Sequence, residues 1–524
     1  MDSIYGIWYI FAQVKSILIV LISSFYITGL IAQELDFKYA CGTEFLEDIK
    51  QEMFRNRETI KNLASFRGAV NYVPVKVNIV TFDDGSGNVP MIDVLRMMCQ
   101  LNKAYADQNI QFYMKGVNTI NNTTMTSNPK STGGSLQLEL NKDAKALNIY
   151  IVNKIDQNSN STAGVTLAYY SGASSGDYVV SNKSYISDVR VVPHEVGHFF
   201  TLPHTFHGWD FTPWDAAKYA NTPVGRFAPD GITLNENADS SNCGPKNVGD
   251  GFCDTPADYN FLNDPSNSTC RYSSSAQDPN GKPLLPQTNN FMNYFFGCSN
   301  YIFTPQQKDA ILASYAATNR SFIRGTSPIS TVVINSATKL VYPVNGSPTA
   351  SADTTTLAWD AVPGATSYLV QTDIVPTFEL EVKSYITTKT SLLIQGMTQN
   401  RTYHWRVIAY SDYSTCFPSP NRSTFKAGAL TAVNDIPEVK SFAVFPNPVL
   451  QGSELQITLD NRKNFEGSIT ILDMNGRKIW QSGREQFFAG ITHRSINVSA
   501  FSPGVYQVSL SAGQGLANRK IIKL

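Results

Sequence analysis

Residues 72–82, YVPVKVNIVTF, alternate apolar and polar positions. A period of two predicts a strand. DVLRMMCQLNKAYADQ (93–108) spaces its apolar residues three and four apart and predicts a helix. IQFYMKGV, LNIYIVNKI and GDYVVSNKSYI predict further strands, the last just ahead of a histidine-rich segment. Upstream, the largely polar stretch 33–69 carries EFLEDIKQEMFRNRETIKNLASF, which has a helical period. Strands interleaved with helices predict an α/β (α+β) layer around a mixed, mostly parallel twisted sheet of about five strands.

The pattern changes twice further along. From 235 to 298 the chain is rich in Asn, Asp, Gly, Pro and Ser, and predicts irregular structure. Beyond IRGTSPIS (323–330), short alternating runs such as TTLAWDAV, SYLVQTDIV and TYHWRVIAYS predict an all-β sandwich over 330–430. FPNPV (445–449) opens a last β module over 438–524. At the other end, Lys15 is the one charge between Ile4 and Ala32. This predicts a secretory signal over 1–32, cut near Ala32. A retained membrane anchor is the alternative, since the stretch is long enough to span. The expected organisation is 1–32 signal, 33–69 propeptide, 70–322 catalytic unit, 330–430 sandwich and 438–524 tail module. Arg55, Arg57 and Arg67 are candidate processing points.

The 42 basic and 42 acidic residues cancel. That balance gives no support for nucleic-acid binding or a polybasic membrane patch. Four of the seven cysteines, Cys243, Cys253, Cys270 and Cys298, fall in the irregular stretch without a CxxC pair. In an exported chain this favours two disulfides over a thiolate zinc site, with three pairings open.

Four of the six histidines fall within HEVGHFFTLPHTFH: His194, His198, His204 and His207. Residues four apart on a helix project from one face, the geometry for two imidazoles on one zinc ion. Glu195, one residue along, reaches a zinc-bound water as general base. Pro203 ends the helix, and the chain turns so that His204 returns as third ligand. His207 is the weaker candidate for that place. Where the long form of the motif has glycine, Thr201 stands. A left-handed turn there costs a non-glycine residue roughly 1–2 kcal/mol. Either zinc binding, on the order of 10 kcal/mol, carries that strain, or Pro203 changes the turn.

HEVGHFFTLPHTF, taken with NNFMNYFFGCSNYIFTPQQ (289–307), resembles the pappalysin-like metzincin zinc endopeptidases over roughly residues 70–322. The resemblance implies a metzincin-like catalytic fold. It makes Met292 the residue of a turn beneath the zinc, and Tyr294 a helper of the oxyanion. It also implies disulfides Cys243–Cys270 and Cys253–Cys298. GDGFCDTPAD (249–258) resembles the family's calcium segment, with Asp250, Asp254 and Thr255 as oxygen donors; a polar turn is the alternative. YACGTE (39–44) matches the proform motif in which a cysteine, here Cys41, blocks the zinc; a Cys41–Cys99 disulfide is the alternative. Members that cut beside Arg carry an acidic residue where this chain has Gly297, so Arg preference is not supported. Residues 330–430 resemble a fibronectin type III module with Trp359, Tyr368 and Trp405 in its core. Residues 438–524, with DMNGRKIW and SPGVYQVSL, resemble the type IX secretion sorting module. That likeness implies outer-membrane secretion machinery as a partner.

Together these readings predict a secreted or surface-bound zinc endopeptidase made as a latent proenzyme, with protein or peptide substrates and no stable transmembrane segment in its mature form. The rival is a surface adhesin with a metalloprotease-like domain, which has no need of Glu195. A small-molecule zinc hydrolase is the weaker rival, opposed by the paired Met292 and Tyr294.

Overall fold

The computed structural model describes residues 39–524 except 45, 61–62, 157–164, 220–221, 350, 352, 429–435, 451, 453, 475–476 and 514. The signal expected over 1–32 lies outside the described residues. No helix among the described residues is long and apolar enough to cross a membrane.

The first layer is a six-stranded sheet in the order β1-β5-β6-β4-β2-β3. Its strands are β1 (Tyr39–Cys41), β2 (Asn71–Thr81), β3 (Ile110–Asn121), β4 (Leu147–Val152), β5 (Val165–Tyr170) and β6 (Tyr178–Asn182). Every pairing is parallel except β5 against β6, so the sheet is mixed and mostly parallel. β2 is buried almost throughout because both faces are covered. Val73, Val75, Val77 and Ile79 join the main core, and Val80 packs in a separate cluster with Tyr150 and Tyr178.

Four helices matter for the site: α1 (Leu46–Thr59), α2 (Met91–Tyr105), α3 (Val191–Phe199) and α4 (Pro305–Ala316). Tyr105 on α2 donates to the Pro193 carbonyl at 2.9 Å, tying α2 to α3. α1, from the stretch read as propeptide, buries Leu46, Ile49, Met53 and Phe54 in the same core. Two strands of this sheet were not anticipated. β5 is a short apolar run (VTLAYY), and β1 is three residues that pair only by lying along β5.

After the α/β layer come two pairs of β-sandwich-like sheets. Strands between 340 and 426 form sheets of five and three strands. Trp359, Tyr368 and Trp405 are buried between them, as expected. Strands between 439 and 523 form a second pair with its own core around Leu455, Ile457, Ile469 and Val508.

The disulfides correct the expected pairing. The bonds are Cys99–Cys416, Cys243–Cys253 and Cys270–Cys298, not Cys243–Cys270 and Cys253–Cys298. The reason is local. Gly244 lies against Cys253, its Cα placing a would-be Cβ 3.3 Å from Sγ. The Phe296 amide donates to the Asn267 carbonyl at 3.0 Å, which lays Cys298 beside Cys270. The Cys41–Cys99 alternative is also overturned, because Cys99 is bonded to Cys416 and Cys41 is free.

Candidate metal and catalytic centre

α3 carries His194 and His198 on one face, and the chain then stops as a helix. Leu202 N–H donates to the Gly197 carbonyl at 2.9 Å and Thr201 N–H to the His198 carbonyl at 2.8 Å. That pair of bonds is a left-handed helix cap. Thr201 occupies it with φ 66°, the strained turn that the missing glycine implied. Its hydroxyl is buried without a partner. The turn sends His204 back to the helix face.

His204 Nε2 lies 3.2 Å from His194 Nε2 and 3.1 Å from His198 Nε2. The opposite ring nitrogens are all engaged. Nδ1 of His194 meets the Phe291 carbonyl at 2.7 Å, Nδ1 of His198 the Leu202 carbonyl at 2.7 Å, and Nδ1 of His204 the Asp210 carboxylate at 2.6 Å. A carbonyl only accepts, so Nδ1 of His194 and His198 carries the proton. Their Nε2 lone pairs then face His204 Nε2, an arrangement that repels unless a cation sits between them. Burial also pulls both imidazoles well below the usual histidine range, toward the neutral form a metal needs. The donor set and its outer hydrogen bonds therefore fit zinc.

Cys41 Sγ completes the group, 3.6 Å from His198 Nε2; the four ligand atoms lie within 4.8 Å of one another. β1 delivers it by pairing with β5. Glu195 is buried beside the group, and burial pushes its carboxyl up to about 7. Thr43, which the sequence did not single out, donates its hydroxyl to Glu195 Oε2 at 2.9 Å. Tyr294 Oη stands 3.4 Å from His204 Nε2. Met292 is fully buried beneath α3, where a Cβ on Gly197 would collide with its sulfur. That collision accounts for the glycine inside HEVGH.

Asp210, the acceptor for His204, was also missed. The one signal was a carboxylate six residues after the third histidine. His207 does not join the group. Its Nε2 contacts Glu47 on α1 at 2.9 Å, and that hydrogen bond holds the Glu47 carboxyl down at about 2.

The calcium candidates separate. Both oxygens of Asp254 are spent, on the Thr304 hydroxyl at 2.7 Å and the Gln306 amide at 2.8 Å. Asp250 Oδ1 accepts from Phe252 N–H at 2.9 Å and from the Thr255 hydroxyl at 3.1 Å, while its Oδ2 is buried without a partner. Glu236, which the sequence did not flag, likewise has a buried orphan oxygen, Oε1. Burial raises both carboxyls, helped at Glu236 by the charge of Asp250 and at Asp250 by that of Asp254. Orphaned, buried carboxylate oxygens fit a hard cation.

Comparison with known proteins bears on the two ends of this picture. Residues 443–524 match the family described as secretion system C-terminal sorting domain. An extracellular metalloprotease of Neurospora crassa is 31% identical over 180 residues. That alignment takes in 30% of this chain and 59% of the fungal protein. Two solved structures were also matched. The chicken CNTN1 FN1-FN3 domains are 17% identical, cover 36% of this chain and 68% of theirs, and have a TM-score of 0.17. The fn3 domain of human collagen alpha-1(XX) chain is 22% identical, covers 19% of this chain and 86% of its own, and has a TM-score of 0.13. Scores at that level carry no weight here. The sorting domain and the extracellular relative together place this chain outside the cell or on its surface, and part of it is similar to an extracellular metalloprotease.

Proposed function

We propose that this chain is a secreted zinc endopeptidase of the pappalysin-like metzincin kind, made in a latent form. The observation that carries the reading is the convergence of three imidazole Nε2 atoms whose Nδ1 atoms are all held by fixed acceptors. His194, His198 and His204 would hold the zinc, which supplies an acidified water and a Lewis acid for the scissile carbonyl. Glu195 takes the proton of the attacking water and passes it to the leaving amine. The Tyr294 hydroxyl donates to the oxyanion as it forms.

In the latent form Cys41 would join the three histidines in holding the metal, and α1 covers the site. Cleavage in 55–67 releases them; the Arg67 side chain is exposed and pairs at the surface with Asp309. The unit then runs over about 70–322, followed by the fibronectin type III-like module over 330–430. The tail from about 438 addresses the chain to the outer-membrane secretion machinery. Proteins or peptides are the substrates, and calcium at Asp250 is a structural cofactor.

The test is Glu195→Ala in the processed protein. It should keep one zinc per chain by metal analysis and lose peptide hydrolysis by at least about 10²–10⁴-fold. Near-normal turnover would reject the mechanism. Loss of zinc from this variant would reject the assignment of Glu195 as a non-ligand.

A further inference from the structure

The Asp250–Glu236 pair is buried together with a cation that the peptidase chemistry does not use. Lys50, on α1, is fully buried, and its Nζ donates to the Gly249 carbonyl at 2.7 Å. Gly249 adopts φ 39° and lies against Glu236, its Cα placing a would-be Cβ 2.9 Å from Oε2. Asp250 is the next residue, with one oxygen held and the other orphaned. So the 249–250 turn and Glu236 bring together a backbone carbonyl and two carboxylates with unused oxygens, closed off from water. Those are the donors a hard divalent cation takes. The Lys50 charge acts on both carboxylates. Among the described residues no carboxylate oxygen comes within ion-pair distance of its Nζ.

We propose that Lys50 is the built-in counter-ion of this site, and that a divalent cation and the Lys50 ammonium exclude each other there. The charge balance supports the exchange. With α1 in place, two buried carboxylates face one ammonium. Remove α1, and the two carboxylates lose that counter-charge, a loss that a bound cation makes good. Conversely, a divalent ion entering beside Lys50 meets its repulsion and competes for the Gly249 carbonyl. The coupling is reciprocal: whatever Lys50 costs the cation, the cation costs α1. Departure of the leader helix and uptake of the cation are thus two sides of one equilibrium, and free cation favours release.

The proposal needs no peptidase activity, so it is tested on the unprocessed full chain. Calcium titration by calorimetry should show Lys50→Met binding at least about tenfold more tightly than wild type, or about 1.4 kcal/mol. Adding Asp250→Asn to that variant should abolish the gain. Equal affinity in wild type and Lys50→Met overturns the exclusion. A gain that survives Asp250→Asn places the cation elsewhere and overturns the site. Should Lys50→Met not fold, wild type supplies the second measurement: hydrogen exchange of the α1 amides should quicken when calcium is added. Unchanged or slower exchange overturns the coupling.

Discussion

The Thr43 hydroxyl donates to Glu195 at 2.9 Å and accepts the Tyr170 amide at 2.9 Å. It therefore ties Glu195 to the β5 edge while Cys41, two residues earlier, stands among the three histidines. A hydrogen bond to a charged group is worth about 1.5–3 kcal/mol. Thr43→Val should therefore raise the residual activity of the unprocessed chain roughly tenfold or more, at unchanged zinc content. Cys41→Ala should raise it further. Residual activity of Thr43→Val equal to wild type would confine latency to the thiol. Spacing alone exposed Glu195 and the histidines, because a helix converts sequence offset into direction. Thr43 and Asp210 were invisible to that logic. Their partners lie across the fold or around an irregular turn.

At the scale of elements, the end of α3 is the critical junction. Thr201 holds φ 66° with a buried, unpartnered hydroxyl. Thr201→Gly relieves roughly 1–2 kcal/mol of backbone strain and removes the orphan group. Its melting midpoint should rise by a few degrees, with zinc stoichiometry unchanged. A lower midpoint would mean that the lost packing of the Thr side chain outweighs both gains. The histidine helix and its stop were legible because HExxH and Pro203 are local signals. α1 was legible as a helix but not as a core element. Its buried face needed α4 and the 249–252 loop as partners. β1 was not legible at all, since three residues form a strand only when an edge such as β5 is offered.

Over the whole molecule, Cys99–Cys416 joins residues 317 apart and ties α2 to the 330–430 module. Ile92 and Leu95 of α2 pack there with Leu369, Ile408 and Tyr410. Met114 N–H also donates to the Asp412 carbonyl at 2.8 Å. The module is thus clamped to the α/β layer, and the clamp needs an oxidising compartment, as an exported chain meets. Cys416→Ser should keep zinc and open the 323–330 connection to limited proteolysis, with a lower unfolding midpoint. Proteolysis and unfolding identical to wild type would show that the apolar contact alone holds the module.

What the sequence determined by itself was chemistry tied to local offsets: the histidine pair, Glu195, the helix stop, and the period-two runs of the β modules. Periodicity and turn chemistry act over a few residues, so one chain suffices to read them. Only the tertiary structure decided which cysteines meet, which carboxylates stand buried and orphaned, that Thr43 and Asp210 touch the histidine cluster, and that Glu236 and Lys50 gather around Gly249. Each of those depends on chain segments packed together from far apart. Burial, which sets the charge of a carboxyl or an ammonium, is a property of that packing and not of the residue.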